Sequence, residues 1–493
     1  MKRTTLIARI ICMALMVCML ASAFAACTKE EEKDPVKTDG AGAQATGVPT
    51  DEYGYELDAL GQMNINEIMD ILNAQEQIAQ CAVEELSEDV VGNAIYNRWK
   101  TVEDRLNVEI VWHPMPGQWS NTKIDNYCKE VEAQSNANNA YDACVAHNLF
   151  PGALANRGLL LNLGDGKYLD FTAPWWPKSF VSEVLINNVV YGAVESSSKG
   201  TLRNLHGVFF NNALIEDYKL DDPYKMVENN TWTFANMMAM IKDTYSDKDQ
   251  TAGKSAEDFF GLVTGTKAKI ETWFFCMGYR YSTVGDDGMP ELLMDDNAYM
   301  TDWVDAFNAA AETNDFLMWD TKGHTAAFFA DRAILYMTSL QLVESGVNKQ
   351  IEMDYGVVPC PKKDSSQENY VSNVANTHDA WMVPISVRSL DDSSALLECM
   401  ASEAYRQVAP VYFDQCIKLR YAPDERLGAM YDLIRDTAIF DFCQIYSCAF
   451  TKDPRAFITD ATDGGQDWTT VWDNNSNGIT TGFQTVLDFY GAQ

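Results

Sequence analysis

The strongest constraint on this chain is the alternation of helix-period and strand-period segments that begins at Asp89. From Asp89 to Leu106, the residues Val90, Ala94, Trp99, Val102 and Leu106 recur mainly at three- to five-residue spacings, which is one buried face of a helix. A strand is predicted at Val108–Trp112, ended by Pro114 and Pro116. A second helix follows over Ile124–Ser135, then a short buried strand over Tyr141–Ala146. A third helix, over Ala153–Leu161, stops at Asn162-Leu-Gly. Further on, strands are predicted at Gly207–Asn211, Ile334–Thr338 and Tyr355–Val358. Helices are predicted over Thr233–Tyr245, Ala298–Thr313 and Gly323–Asp331. Beyond residue 390 the pattern is mostly helical, with Ser393–Tyr405, Glu425–Cys443 and Gln484–Tyr490. Strand–helix–strand rhythm of this kind builds an α/β fold with a largely parallel sheet. No repeat of 20–50 residues interrupts it, which argues against a solenoid or propeller.

Composition narrows the function classes. The 493 residues are enough for two to four domains. They carry 37 basic against 71 acidic side chains, a net charge of −34. Phosphate backbones and anionic membrane surfaces are recognised through clustered Lys and Arg, so neither nucleic acid nor a polybasic membrane contact fits. The five His are scattered and no CxxC pair occurs, so no metal site or cofactor is expected. Nine cysteines lie beyond the leader: Cys81, Cys128, Cys144, Cys276, Cys360, Cys399, Cys416, Cys443 and Cys448. The odd number and the apolar neighbours, as in Phe275-Cys276-Met277, make them small core residues.

The N-terminus assigns a destination. Lys2, Arg3 and Arg9 precede an apolar run from Ile10 to Phe24, the layout of a secretory signal over residues 1–26. The run closes on Phe24-Ala25-Ala26-Cys27, which resembles a bacterial lipobox with Phe in place of the preferred Leu. The resemblance implies a diacylglyceryl group and palmitate-type acyl chains on Cys27. Residues 27–55 are rich in Glu, Lys, Gly, Ala, Thr and Pro and read as a disordered tether. Because one acyl chain binds a bilayer only marginally, stable anchoring takes two or more. The expected location is the outer face of the cell membrane.

Several segments, in order, resemble the extracellular solute-binding proteins of bacterial ABC importers, the sugar-binding family that includes maltose-binding protein. They are Ile95-Tyr-Asn-Arg-Trp through Val108, Tyr141-Asp-Ala-Cys-Val145, Ala155-Asn-Arg-Gly-Leu-Leu-Leu-Asn-Leu163, Pro174-Trp-Trp176 and Asn187-Asn-Val-Val-Tyr-Gly192. Val208-Phe-Phe-Asn-Asn212, Trp232-Thr-Phe, Gly323-His-Thr-Ala-Ala-Phe-Phe, Tyr355-Gly-Val-Val-Pro-Cys-Pro361 and Trp381-Met-Val-Pro-Ile385 complete the series. The resemblance covers roughly residues 60–493 and implies a two-lobed, periplasmic-binding-protein-like α/β fold with a hinge and an interlobe cleft. Lobe one would comprise 60–195 plus 345–400, and lobe two 200–340 plus 405–493. The implied function is non-enzymatic: a monomer captures a carbohydrate between its lobes and delivers it to membrane permease subunits.

The same resemblance nominates ligand-contacting residues. Aromatic platforms suit the flat C–H faces of sugar rings, and carboxylates and amides suit the hydroxyls. Trp119 lies in the loop after the first strand, and His147 and Asn148 follow the strand ending at Ala146. Glu195 sits at the first crossing between lobes. Glu271 and Trp273 stand at the rim of lobe two, Trp273 as a ring platform or as a core residue. Gln341 stands where the family often has an aromatic, and Trp381 where the chain returns to the cleft. Relatives can carry a calcium loop; the matching stretch from Asp247 has Thr251 and Ala252 at positions 5 and 6 and Asp258 at position 12, a degenerate version.

Two rival readings are a secreted carbohydrate-active hydrolase using paired carboxylates, and a solute-sensing lipoprotein without a transport role. No GxSxG, HExxH or P-loop motif supports an enzyme. The anchoring expectation has a direct test. Cys27→Ala is expected to release the protein into the medium or to block its maturation, scored by fractionation; normal processing with full membrane retention would exclude lipidation at Cys27.

Overall fold

The computed structural model describes Leu86 and residues 89–113, 115, 121–136, 141–255, 257–265, 268–319, 323–344, 353–414, 425–462 and 464–491. The chain divides into two compact units, Met1–Met63 and Asn64–Gln493, and every described residue belongs to the second. The leader, Cys27, the tether, Cys81, Cys416 and Trp119 lie outside the described residues.

The first helix, α1 (Val90–Leu106), begins on Asp89, whose carboxylate accepts from the Val91 amide. It ends at Asn107, held at φ 53°, a left-handed conformation that Asn tolerates better than bulky residues. Its buried side carries Val91, Ala94, Ile95, Arg98, Trp99 and Val102. The next stretch, expected as a strand at Val108–Trp112, is extended but pairs with no strand among the described residues. Then come α2 (Asn121–Asn136), β1 (Cys144–His147) and α3 (Phe150–Asn156).

The later part supplies β2 (His206–Asn211), β3 (Phe260–Gly265), α4 (Ala268–Cys276) and a hairpin of β4 (Ser282–Val284) and β5 (Pro290–Leu292). It continues through α5 (Asn297–Ala311), β6 (Phe316–Trp319), β7 (Ala333–Ser339) and β8 (Tyr355–Pro359). The chain then forms β9 (Ser372–Asn373), β10 (Asp379–Met382), α6 (Leu390–Glu403), α7 (Glu425–Asp436), β11 (Ala438–Ile439), α8 (Pro454–Thr462) and α9 (Trp468–Gly491).

Lobe two is built on a five-stranded sheet in the order β6-β3-β7-β2-β8. β3 runs parallel to β6 and β7, whereas β2 is antiparallel to both of its neighbours. The sheet is therefore mixed rather than largely parallel. β2 and β3 are buried along their whole length, which is why they read as unbroken runs rather than alternating ones. Gly356 is required at the β2–β8 contact, since a Cβ there would stand 2.1 Å from the Phe210 ring. β8 pairs with β2 in this sheet, and α7 packs on β8. In lobe one β1 pairs antiparallel with β10, and α1 packs against α6.

Between the lobes the crossing segments lie side by side. Ala193 bridges Trp381, Leu205 bridges Val374, and β9 pairs parallel with β11. A buried ion pair braces the first crossing: the Arg98 guanidinium on α1 meets Glu195, and Arg98 Nε donates to the Met400 carbonyl of α6 at 3.0 Å. Breaking a buried pair from one side leaves an uncompensated charge, at a cost of about 3–5 kcal/mol. Glu195→Ala is expected to lose about that much in urea unfolding. The double variant Arg98→Met/Glu195→Leu, which removes both charges, is expected to lose distinctly less.

Candidate functional site

The seam between the lobes begins where β1 ends and β10 starts, at the facing pair His147 and Asp379. The chain turns at Asn148, whose amide N–H donates to the His378 carbonyl at 2.9 Å. The Asn148 side-chain amide donates to Asn376 Oδ1 at 3.1 Å, and Asn376 in turn donates to the Gln444 carbonyl at 2.9 Å. Asn204 joins the same network: its Nδ2 donates to the Gly200 and Thr377 carbonyls, each at 2.8 Å, and its Oδ1 accepts from Thr377 Oγ1 at 2.5 Å. Asn148, Gln444, His378 and Asn373 are all buried at the base of the seam.

Several polar atoms here have no partner. Asn148 Oδ1 is one, and both ends of the Gln444 amide and of the Asn373 amide are others. His378 Nδ1 lies 2.8 Å from the Ala375 carbonyl, to which it donates, so His378 Nε2 is an acceptor, and it too is unpartnered. Buried donors and acceptors without partners carry a desolvation cost of about 1–3 kcal/mol each, a cost that a bound polar molecule removes.

Lobe two reaches the seam through the start of α4 and the start of α8. Glu271 accepts from the Tyr281 hydroxyl at 3.2 Å. Burial raises Glu271 to about 7, with Arg455 opposing the shift. Burial lowers His147 to about 3 and His378 to about 4; the positive charges of His378 and Arg455 add to the effect on His147. The Arg455 charge thus acts on both His147 and Glu271. Further along, Lys269 Nζ lies 2.7 Å from His206 Nε2, and burial lowers Lys269 to about 8.

Of the residues nominated from the sequence, His147 and Asn148 stand buried where β1 ends, and Glu271 is buried in α4 against the Tyr281 hydroxyl. Glu195 is engaged by Arg98 inside lobe one, although its Oε2 has no hydrogen bond. Trp273 takes the core position of its two alternatives: it is fully buried, with T-shaped contacts to Phe234 at 5.6 Å and to Phe316 at 6.5 Å. No face of its ring is open to a sugar. Gln341 begins a short helix after β7 and is half-buried. Trp381 is buried within β10, its main chain paired with Ala193 and Val145. Sequence reasoning missed Gln444, His378, Asn373, Asn376 and Arg455.

The Asp247, Asp249 and Asp258 carboxylates come within 4.8 Å of one another. Their oxygens already accept from the loop's own Lys248, Gln250, Thr251 and Ser255 groups. A cavity of about 1040 Å³ lined by Trp99, Ile110, Trp112 and Tyr141 among others reaches the seam at Asp379 and includes Trp381 in its wall.

No family profile matches the sequence, and no curated protein does. Solved structures do. A cyclo/maltodextrin-binding protein complexed with maltotetraose superposes at TM-score 0.52 with 10% identity, over 80% of this chain and 94% of that one. A cyclic α-maltosyl-1,6-maltose-binding protein from Arthrobacter globiformis gives 0.51 and 12%, over 80% and 97%. UgpB from Mycobacterium tuberculosis, in complex with glycerophosphocholine, gives 0.50 and 15%, over 80% and 95%. The chain therefore has the two-lobed fold of these binding proteins.

Glu271 gives the seam a pH signature. It ionises near 4.5 in an unfolded chain and near 7 in the fold, so folding is progressively disfavoured as pH rises through that window. The loss reaches about 3 kcal/mol above pH 7. Glu271→Gln is expected to remove this dependence, so that the wild-type minus variant difference in unfolding free energy falls from pH 4.5 to 7 and is flat above. A difference that stays flat across the window would show that Glu271 is not held neutral.

Proposed function

We propose that this chain is an extracellular, lipid-anchored solute-binding protein that closes its lobes on a carbohydrate, in keeping with an oligosaccharide, and delivers it to an ABC permease. The observation that carries the reading is the buried array of unpartnered atoms at the base of the seam, on Asn148, Asn373, His378 and Gln444. The array mixes acceptors with amide donors. A hydroxyl both donates and accepts, so a polyol satisfies such a set without bringing a net charge into a buried place. The fold supports the reading, since proteins of this fold are seen in complex with maltotetraose and with glycerophosphocholine. Lobe closure about the crossing segments would leave each lobe unchanged. The lipobox-like end at Cys27 supports the anchor.

A thermal-shift screen over maltooligosaccharides, other sugars, glycerophosphocholine, amino acids and polyamines tests the ligand class. A ligand at 100 times its Kd stabilises by about 2.7 kcal/mol. Gln444→Ala is expected to weaken the best sugar by about 5–10-fold in calorimetric titration, the loss of about one buried hydrogen-bonding group, while the unliganded melt changes little. Stabilisation by polyamines or amino acids and by no sugar would replace the ligand class. Cleavage of an oligosaccharide during incubation would favour the hydrolase reading.

A further inference from the structure

The carboxyl ends of β3, β6, β7 and β8 share one edge of the lobe-two sheet, since β3, β6 and β7 run parallel and β8, like β7, is antiparallel to β2. β2 runs the other way and so starts at that edge: His206 faces Ser339, the last residue of β7, and Gly207 faces Pro359, the last of β8. The edge where parallel strands end is where an α/β sheet meets its ligands. α4 follows β3, and its second residue is Lys269. The Lys269 side chain is half-buried, and its Nζ lies 2.7 Å from Nε2 of the fully buried His206.

That partner sets Lys269 apart. Lys363 and Lys452 meet the carboxylates of Asp302 and Asp460, and Lys254 donates to the Thr313 and Phe316 carbonyls at 2.7 and 2.9 Å. Lys269 has a ring nitrogen instead, and no carboxylate contacts it among the described residues. An opposite charge close by is what keeps a half-buried ammonium charged. Here the Cys360 thiol, just after β8, is the one group among the described residues that pulls Lys269 toward the charged form. Burial and the Lys269 charge lower His206 well below its ordinary value, against the Asn373 and Asn204 carbonyls, so its ring is neutral. Burial lowers Lys269 to about 8. About a tenth of it is then free amine at pH 7, against about one part in 2,500 for an ordinary lysine. A desolvated, uncharged amine is the form of lysine that attacks carbonyl carbon.

We propose that Lys269 is a carbonyl-binding nucleophile at the ligand edge of lobe two, and that it takes aldehydes, of which the open-chain form of an aldose is the class a sugar-binding seam would present. The Nζ lone pair attacks the aldehyde carbon while the C=O electron pair moves to oxygen. The oxygen leaves as water with the two hydrogens of the amine, and a C=N bond, an imine, remains. Nothing is oxidised or reduced, and water reverses the step. As an amine Lys269 keeps one N–H on His206 Nε2, which turns its lone pair away from the ring. The aldose rests on the ligand reading given above; the reactivity of the amine does not.

Trapping on the full mature chain tests this. Glyceraldehyde, the smallest aldose, is offered with cyanoborohydride at pH 7, and the labelled lysines are read by peptide mass spectrometry. Lys269 is expected to label at least about 30-fold faster than the median lysine in the native protein, and at the median rate in urea. In competitive acetylation with acetic anhydride its rate is expected to level off above about pH 8, while the other lysines gain up to about pH 10. Lys269→Arg is expected to lose the fast label and no other. Native labelling of Lys269 at or below the median rate overturns the proposal, whether or not the variant folds. So does an acetylation rate at Lys269 that keeps rising with those of the other lysines. Fast labelling in a protein that no sugar stabilises keeps the nucleophile and overturns the sugar reading alone, so the two failures are told apart.

Discussion

A chain that passes between two lobes more than once must bury its own backbone at the crossings, and buried backbone polar groups must find partners. Much of this structure follows from that requirement. The crossing segments satisfy one another where Ala193 meets Trp381, Leu205 meets Val374 and β9 meets β11. Where regular pairing runs out, side-chain amides take over: Asn204 serves the Gly200 and Thr377 carbonyls, and Asn376 serves Gln444. Once the crossings are fixed in this way, the ends of β1 and β10 and the starts of α4 and α8 are brought against one seam. The leftover hydrogen-bonding capacity of Asn148, Asn373, His378 and Gln444 collects there.

Burial also sets the charge of the seam. His147 and His378 are pushed below their ordinary values and Glu271 above its own, all toward the neutral form. The protein as a whole carries a charge of −34. A neutral solute approaches such a surface without penalty, whereas an anion is repelled before it arrives.

Most elements whose burial follows a simple rule were legible. The apolar stripe of α1 and the continuous run of β2 are examples. The strand β3 was missed because Phe260-Gly-Leu-Val-Thr-Gly265 has glycine at two of six positions, which weakens the strand signal. The long α9 was seen only at its end, because Asn474, Asn475, Ser476, Asn477 and Gly478 are poor helix formers. Packing on α5 and α8 overrides that preference. Among the candidate residues, His147 and Asn148 were nominated through the family resemblance, at the turn after a predicted strand. Gln444, Asn376 and Arg455 come from distant parts of the chain and share no spacing, so no local pattern could mark them. For Trp273 the signal was present: it stands among Ile270, Phe274, Phe275 and Cys276, all apolar and all buried, and a run of that kind belongs inside.

The pairing of Cys144 with Met382 has a consequence for how the molecule is made. Among the described residues β1 has no strand to join until nearly four-fifths of the polypeptide has been synthesised, and β2 waits for both β7 and β8. Contacts between residues so far apart in sequence form slowly, because the intervening chain must be closed into a loop first. Neither sheet can lock early. A polypeptide built this way stays an open thread for longer, and its shape arrives late and all at once rather than segment by segment.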